Sequence, residues 1–391
     1  MPKPRIVGTD TFIVSRPRDI PYLGPLGDGE QVNRRGYIVR LGNGTIYPTA
    51  DQSVVVKITL DTGLVGWGET YGICAPKAVC EIINDMLAPV LEGADPEEAE
   101  TIWDTLYGLM RVRGHASGFY LDALAAIDIA LWDLKGKLAG VPIRNLLCPN
   151  PRNSIPAYLS GLPEATLEGR VALARKLISE GFSAVKFAAV VSHEGIEAEM
   201  GALRSALGPK IDLMVDLHWK FSQAEALELL HRLAPHKPYF AEAPIAPEDI
   251  EGLRSVAAQS PIPIAAGEEW PTDYVAGPRL KDGNLAFVQP EMAHTGITQF
   301  LRIAQLAQRH GAKLAPHATI GSGFFLSASI QVSSALANVA THEFQHSVFN
   351  PSSGLITTDM TCTDGAYHLP TGPGLGVEPG PDFLKHAVHV G

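Results

Sequence analysis

Polar side chains close the short apolar runs in the second half of the chain, and they recur at a regular spacing. The step from Asp216 to Glu242 is 26 residues, and three further neighbouring pairs repeat it. A constant step of this length is typical of one strand followed by one helix, so these residues would occupy equivalent places on successive strands. They are Lys186, Asp216, Glu242, Glu268, Glu291, His317 and Glu343, with His218 two residues after Asp216.

Three carboxylates in this series, Asp216, Glu242 and Glu268, close consecutive runs and predict a metal site. Neighbouring strands lie about 4.8 Å apart, so the three side chains would repel one another unless a cation lay between them. Oxygen ligands without cysteine or histidine suit a hard divalent ion, and we expect one Mg²⁺ per subunit. Each acid taken alone could equally be a helix cap or a solvated loop residue.

Glu291 and His317 close the next two runs and suggest a catalytic base. A carboxylate one strand away from an imidazole can bond one ring nitrogen, fix the tautomer and raise the basicity of the other nitrogen. A lone histidine here would be interpreted as a buried core residue. His218 could also take part in the chemistry. Side chains two residues apart on a strand share a face, so His218 would lie beside Asp216.

The elements that would position these residues alternate regularly over about 200 residues. Eight apolar runs are separated by amphipathic helical stretches such as QAEALELLHRLA. This order predicts a closed parallel (β/α)7β barrel of the TIM type, with the polar residues at the C-terminal ends of the strands. The alternative, a doubly wound sheet, typically has a glycine-rich phosphate-binding loop after its first strand. The segment AYLSGLPEA lacks the GxGxxG pattern of that loop, which favours the barrel. The runs are SIPAYLS, SAVKFAA, LMVDLH, YFAEAP, IPIAAGE, LAFVQPE, AKLAPHA and THEFQ.

The first third of the chain has a different pattern. Strand-like alternation up to about residue 70 gives way to helical periodicity that stops at Gly140, which predicts an α+β domain over residues 1–140. The barrel would span 141–355, and the Gly/Pro-rich segment 356–391 would return to the first domain. A long loop at about 16–35, with four arginines, is expected to fold over the barrel mouth. These arginines are Arg16, Arg18, Arg34 and Arg35, and no single one is assigned to the substrate.

Composition excludes several classes of function. The net charge is −11 and no basic stretch is present, which argues against binding to nucleic acid or to a membrane surface. The chain has no run of 18 apolar residues, and its four cysteines lack metal-type spacing. We therefore expect a cytoplasmic protein that acts on a small molecule.

The ordered motifs VDLH, AEAP, AAGEE, VQPEMAHTGIT, LAPHA and GPGLGVE, preceded by IDIALWDLKGKLAGVP, resemble the enolase superfamily and its mandelate racemase subgroup. The likeness covers nearly the whole chain. It implies a capping domain completed by the C-terminal tail, an essential Mg²⁺, homo-oligomers, and removal by a base of the proton α to a carboxylate. A His or Lys base with Mg²⁺ is the standard pattern of that superfamily. Glu343 matches an acid that contacts the substrate carboxylate or the enediolate.

Departures from the family pattern bear on the step after proton removal. Ala188 stands where many members carry a second lysine that acts as a base. Racemisation needs one base on each face of the substrate, so this replacement argues against a racemase. Lys186 is left as a partner for the substrate carboxylate, or as one half of a structural salt bridge. His218 stands where dehydratases similar to galactonate dehydratase have a histidine, which implies a general acid. Its alternative is a passive hydrogen bond to a metal ligand.

Two further departures concern the sixth strand. Glu291 replaces the usual aspartate. Its longer side chain could contact His317 in a different way, so the sequence predicts this pair less firmly than it predicts the metal site. The segment EMAHTGIT is one residue shorter than the common pattern. Its His294 could face the substrate, but we expect a solvated loop residue instead.

The predicted function is dehydration of a sugar acid, an aldonate or aldarate, to its 2-keto-3-deoxy product. His317 would remove the C2 proton and His218 would protonate the leaving 3-hydroxyl. One alternative is a cycloisomerase that acts on a sugar-acid lactone or anhydro sugar acid. Another is a non-catalytic sugar-acid binding protein that keeps the fold and the metal.

Overall fold

Two long antiparallel strands form the centre of the N-terminal part in the computed structural model, which describes residues 3–391. Alternation of apolar and polar residues along them buries one face of a four-stranded sheet, as side chains on a strand point to opposite faces. In this sheet β1 lies between β4 and a short strand from the C-terminal tail, and β5 follows β4, while β2 and β3 form a separate hairpin. The N-terminal strands are β1 Ile6–Pro17, β2 Tyr37–Val39, β3 Ile46–Pro48, β4 Ala50–Leu60 and β5 Val65–Tyr71.

Helices cover the buried face of this sheet. The longest of them is almost wholly buried over its length, including three aspartates. In residues 3–391 no helix combines the length and the apolarity needed to cross a bilayer. The helices of this part are α1 Pro76–Glu81, α2 Ala88–Leu91, α3 Ala99–Arg111, α4 Phe119–Ala139 and α5 Ile143–Leu147, with a π-helical segment Ile82–Leu87 and a 3₁₀ turn Pro96–Glu98.

Eight parallel strands form the barrel in the second half of the chain. They hydrogen-bond in chain order, and β13 pairs with β6 through Glu343 and Tyr158, which closes the ring together with a bridge between Leu314 and Val339. The strands are β6 Ser154–Ser160, β7 Ala184–Ala188, β8 Asp212–Asp216, β9 Phe240–Glu242, β10 Ile264–Ala266, β11 Phe287–Val288, β12 Lys313–Leu314 and β13 His342–Phe344.

One helix connects each successive pair of barrel strands, so the described part of the chain has the predicted (β/α)7β order. All eight predicted runs contain a barrel strand, and the predicted fold class is confirmed. A break at Gly296, whose φ is +60°, divides α11 after its first turn. The helices are α6 Leu167–Ser179, α7 Ile196–Leu207, α8 Gln223–Leu233, α9 Ile250–Gln259, α10 Asp273–Leu280, α11 Met292–Arg309 and α12 Phe324–Ala335, with 3₁₀ turns at Ala189–Val191 and Ala234–His236.

The C-terminal segment returns along the barrel to the N-terminal sheet. Strand β16 pairs antiparallel with the start of β6, and β18 pairs antiparallel with β1 through Ile13 and Val388. The tail therefore completes the cap, while the exact boundaries at residues 140 and 355 stay predictions. Its elements are α13 His346–Ser352, the 3₁₀ turn Ser353–Leu355, β14 Ile356–Thr357, β15 Thr361–Thr363, β16 Ala366–His368, β17 Glu378–Pro379, α14 Phe383–His386 and β18 Ala387–His389.

A buried carboxylate joins the cap to the barrel. Glu69 on β5 accepts hydrogen bonds from the backbone N–H groups of Phe324 at 2.9 Å and of Gly323 and Phe325, both at 3.2 Å. These groups belong to the first turn of α12, where the helix has no internal acceptors for them and its dipole favours a negative charge. Glu69 thus caps a barrel helix from the neighbouring domain.

Two glycines let β5 approach α4 closely. A Cβ atom at Gly68 would overlap with the backbone carbonyl oxygen of Ala126, and one at Gly66 would overlap with that of Ala130. Because the obstructing atoms are helix backbone, they cannot move aside as a flexible side chain would.

We predict that Gly68→Ala lowers the free energy of unfolding by about 3 kcal/mol, since α4 must shift to admit the methyl group. Urea unfolding monitored by tryptophan fluorescence would measure it. Gly108→Ala is the matched control, because a Cβ at this exposed helical position meets no atom within 4 Å. An unchanged midpoint for Gly68→Ala would show that the packing between strand and helix is not tight.

Candidate active site

A cavity of about 280 Å³ lies at the C-terminal ends of the barrel strands, between the barrel and the cap. Six of the eight predicted site residues line it: Lys186, Asp216, His218, Glu268, His317 and Glu343. The other two, Glu242 and Glu291, are fully buried directly behind this lining and contact it. The structure therefore brings all eight residues to one place.

Asp216, Glu242 and Glu268 form the predicted carboxylate cluster. One oxygen from each lies within 4.8 Å of the others, and Asp216 pairs in register with Glu242 across β8 and β9. Glu242 Oε1 and Glu268 Oε2 are buried and have no hydrogen-bond partner among residues 3–391. Buried oxygens that lack donors are costly unless a cation binds them, and an all-oxygen set suits Mg²⁺. The residues present thus fit a hard divalent ion.

The electrostatics of this cluster agree with that interpretation. Burial, only partly offset by Lys186, raises the pKa of Asp216 to about 6. Burial and the neighbouring acids also raise the pKa values of Glu242 and Glu268, the latter well above the usual range. Without a cation the site holds too much negative charge for its low-dielectric surroundings.

His317 and Glu291 form a hydrogen-bonded pair. His317 Nδ1 lies 2.6 Å from Glu291 Oε2, and the Tyr71 hydroxyl donates to the same oxygen at 2.8 Å. The longer glutamate therefore reaches the imidazole. His317 Nε2 is left toward the cavity, 3.5 Å from Glu268 Oε2 and 3.7 Å from Glu343 Oε2. Burial alone would lower the pKa of His317, but Glu268, Glu343 and Glu291 together raise it well above its usual value.

His218 reaches the cavity by a route that differs from the expected one. Strand β8 ends at Asp216, and His218 and Trp219 have left-handed backbone conformations with φ of +50° and +52°. His218 therefore lies beyond the strand, and its position beside Asp216 does not come from a strand face shared by the two residues. The His218 backbone N–H donates to Asp216 Oδ1 at 2.9 Å, and its ring Nδ1 lies 3.1 Å from the same oxygen. Burial lowers the pKa of His218 to about 4, so its ring is neutral near neutral pH.

Lys186 lies between two acids. Its Nζ is 2.6 Å from Glu242 Oε2 and 3.2 Å from Glu343 Oε1, and the Tyr158 hydroxyl donates to Glu343 Oε2 at 3.2 Å. Burial would raise the pKa of Glu343, but Lys186 and His317 lower it to about 2. The structure thus contains the salt bridge that was one of the two interpretations of Lys186. Contact of Lys186 or Glu343 with substrate stays a prediction.

The cap contributes aromatic side chains that the motifs did not indicate. The hydroxyl of Tyr22 accepts hydrogen bonds from Thr319 Oγ1 at 2.8 Å and Gln345 Nε2 at 3.0 Å. Tyr47 also lines the cavity. The sequence carried no specific signal for these tyrosines, because single aromatic residues in loops are common and need no special explanation.

The loop arginines do not all behave alike. Arg16 and Arg18 form ion pairs with the buried Asp51, at 2.7 Å for Arg18, while Arg34 and Arg35 are exposed. The loop conformation depends instead on Arg40. This buried side chain donates to the backbone carbonyls of Tyr22, Gly24 and Pro25 at 2.8, 2.6 and 2.9 Å.

His294 is not the solvated loop residue that the sequence suggested. It lines the cavity, and its Nδ1 lies 2.6 Å from Oδ1 of Asp122 on α4. The signal for this pair was Asp122, the first of two aspartates in the otherwise apolar stretch FYLDALAAIDIALW, since a buried acid needs a partner.

Comparison with known proteins defines the class. Residues 39–148 match the mandelate racemase / muconate lactonizing enzyme N-terminal domain, and residues 169–383 match the enolase C-terminal domain-like family. The chain belongs to the enolase superfamily and is an enzyme.

Individual relatives narrow the comparison. The chain is 33% identical to a D-galactarolactone cycloisomerase from Agrobacterium fabrum, over 85% of this chain and 90% of the relative. It is 31% identical to a D-galactonate dehydratase from Xanthomonas oryzae pv. oryzae, over 88% and 93%. A solved enolase superfamily member from Agrobacterium tumefaciens is 50% identical and superposes with a TM-score of 0.96, with full coverage of both chains.

We predict that adding Mg²⁺ raises the thermal midpoint of the wild-type protein, by an amount equivalent to about 2.7 kcal/mol at a hundredfold excess over Kd. Glu268→Gln should be more stable than the wild type without the ion, because it removes a buried charge, and should respond little to Mg²⁺. Differential scanning calorimetry with and without EDTA would measure both effects. The control is Glu248→Gln at an exposed position, and equal Mg²⁺ responses in the two variants would contradict the assignment.

Proposed function

We propose that the protein is a Mg²⁺-dependent sugar-acid dehydratase that forms a 2-keto-3-deoxy acid. The observation that carries this proposal is the presence, in one buried cavity, of the carboxylate cluster and the His317–Glu291 pair. Similarity to galactonate dehydratases supports the substrate class. The resemblance to the superfamily also supports homo-oligomers, which stay a prediction.

Asp216, Glu242 and Glu268 would hold the Mg²⁺ ion. When bound, the ion would stabilise the negative charge that develops on the substrate carboxylate as the α-proton leaves. Lys186 lines the same cavity with its ammonium group between Glu242 and Glu343, and it would contact the substrate carboxylate from there.

His317 would act as the base. Glu291 accepts a hydrogen bond from its Nδ1, which orients the ring with Nε2 toward the substrate. Nearby acids raise the pKa of His317 well above its usual value, so the role requires that a cation bound by Glu268 lowers this pKa and leaves Nε2 free to take the proton from C2. The Tyr71 hydroxyl holds Glu291 from the other side. The base is therefore oriented by two groups that do not touch the reacting carbon.

His218 would donate the proton that converts the leaving 3-hydroxyl into water. It lines the same cavity as His317. Its ring is neutral in the free protein, so the role requires that the bound substrate raises its pKa. The passive alternative, a hydrogen bond to Asp216, is visible in the structure.

A second candidate is cycloisomerisation of a sugar-acid lactone, supported by the relative with 33% identity. Proton removal by His317 would be the same, but the leaving group would be the ring oxygen of the lactone, released as a carboxylate. That anion is stable in water and needs no proton donor. The non-catalytic alternative has no support from these relatives, which are named as enzymes.

Mass spectrometry of the products separates the candidates. Incubation of the Mg²⁺-loaded protein with a panel of aldonates, aldarates and their lactones should give a semicarbazide-reactive keto acid that is lighter than its substrate by one water. A product of unchanged mass from a lactone would indicate cycloisomerisation instead. Absence of any keto product from the whole panel would rule out the proposed function.

We predict that His317→Asn abolishes exchange of the C2 proton with D₂O and lowers turnover by about 10³-fold or more, because no base remains at that position. Proton NMR of the substrate signal in D₂O measures the exchange. The His231→Asn variant, changed at an exposed position, is the control. Exchange at the native rate in His317→Asn would assign the base to another residue.

We predict that His218→Asn retains C2 exchange but slows release of keto acid by about 10²- to 10⁴-fold, because only the elimination step needs its proton. The same NMR experiment, read beside keto-acid formation, gives both rates. If both rates fall together, His218 supports Asp216 at the metal site instead of acting as the acid.

A further inference from the structure

The ring of His294 is held on two sides at the wall of the cavity. Its Nδ1 lies 2.6 Å from Asp122 Oδ1, and the ring packs edge to face on Tyr71 with a centroid distance of 4.6 Å. A side chain restrained in this way has already lost the rotamer freedom that ligand binding would otherwise cost. His294 Nε2 has no hydrogen-bond partner among residues 3–391.

The partner of His294 has no other evident purpose. Asp122 lies in the first turn of α4 and is only 5% exposed. The other two buried acids of that helix bond to protein backbone: Asp128 accepts from the Thr298 N–H at 2.8 Å, and Asp133 from the Leu375 N–H at 2.8 Å. Asp122 instead bonds to a side chain that lines the cavity. Burial would lower the pKa of His294, but Asp122 raises it above the usual value, which favours an N–H at Nε2.

Glu269 supplies an acceptor in the same cavity. Its Oε1 accepts a hydrogen bond from Trp270 Nε1 at 2.9 Å, while Oε2 is buried without a partner among residues 3–391. Glu269 and His294 both line this cavity. One donor and one acceptor, both without protein partners, together match a hydroxyl group, which can donate and accept at once.

The charges of the cavity wall disfavour a second substrate carboxylate. Every cationic or imidazole side chain that lines the cavity in residues 3–391 already faces an acid: Lys186 faces Glu242 and Glu343, His218 faces Asp216, His294 faces Asp122 and His317 faces Glu291. The first substrate carboxylate has the proposed metal ion as its partner. A second carboxylate would find no unpaired cation in this wall, and burying an anion without one is unfavourable at low dielectric.

We propose that His294, held by Asp122, and Glu269 form a subsite for a hydroxyl group beyond C3, so that the enzyme takes aldonates in preference to aldarates of the same configuration. This inference rests on the proposed function, since it names the substrate class within the sugar acids. His294 acts in it as a specificity residue that does not take part in proton transfer.

The first test measures binding without turnover. Isothermal titration calorimetry on the His317→Asn protein with saturating Mg²⁺ would compare galactonate with galactarate, gluconate with glucarate and mannonate with mannarate. We expect the aldonate of the accepted configuration to bind at least tenfold more tightly than its aldarate. Adding Glu269→Gln should narrow this ratio of binding constants, because the amide N–H₂ group can donate a hydrogen bond to the second carboxylate. An aldarate that binds as tightly as its aldonate, or more tightly, would overturn the proposal.

The second test identifies the hydroxyl. His294→Leu should weaken binding of the accepted aldonate by about 10- to 100-fold, and the effect should vanish for the one monodeoxy analogue that lacks the bound hydroxyl. His294→Gln, which keeps a donor, should recover part of the affinity and guards against misfolding of the leucine variant. His115→Leu at an exposed position is the control. Equal losses across all the deoxy analogues would overturn the subsite.

The two proposals fail in different ways. Keto-acid formation by the wild-type protein tests the dehydratase function, whereas the ratios of binding constants test the subsite. An aldonate that binds with the expected preference but yields no keto acid would refute only the function. A keto acid formed preferentially from an aldarate would refute only the subsite.

Discussion

The confinement of three acidic side chains at the ends of β8, β9 and β10 is the constraint on which the rest of the site depends. Asp216 and Glu242 are buried and Glu268 is partly buried, and this removal from water makes their negative charges costly. Lys186 and His317 lie against the cluster and offset part of that charge. A cation among the carboxylates would offset the remainder, so the arrangement of charges supports the proposed metal as much as the oxygen donors do.

The cap is part of the site and does more than cover it. Tyr71 from β5 orients Glu291, Tyr22 from the long loop contacts Thr319 and Gln345, and Asp122 from α4 holds His294. Each contact joins a cap residue to a residue near the end of a barrel strand. Glu69 fixes the relation between the two parts by capping α12, and the close approach of β5 to α4 keeps the cap itself rigid. Catalytic geometry therefore depends on the interface between domains.

Much of the barrel could be predicted because its units repeat. A constant step from one strand end to the next identifies equivalent positions without any knowledge of contacts between distant residues, and this was enough to indicate the carboxylate cluster and the pair of Glu291 and His317. The prediction was less successful where a local exception interrupts the repeat. The strand was expected to continue to His218, but the backbone is left-handed at His218 and Trp219. No residue type in LMVDLHWK predicts that change of conformation.

What the sequence by itself determined was a set of candidate residues: carboxylates at successive strand ends that could bind a metal, and a histidine beside them that could act as a base. The resemblance to the enolase superfamily added the meaning of Ala188, which stands in place of a second lysine. These features are local, since each depends on a residue type and its distance along the chain. Only the tertiary structure decided that Lys186 bridges two acids, that Glu291 reaches His317, and that His294 pairs with Asp122 across 172 residues. The physical reason is that such contacts form when separate loops and helices converge on one cavity, and no local pattern records which of them will meet.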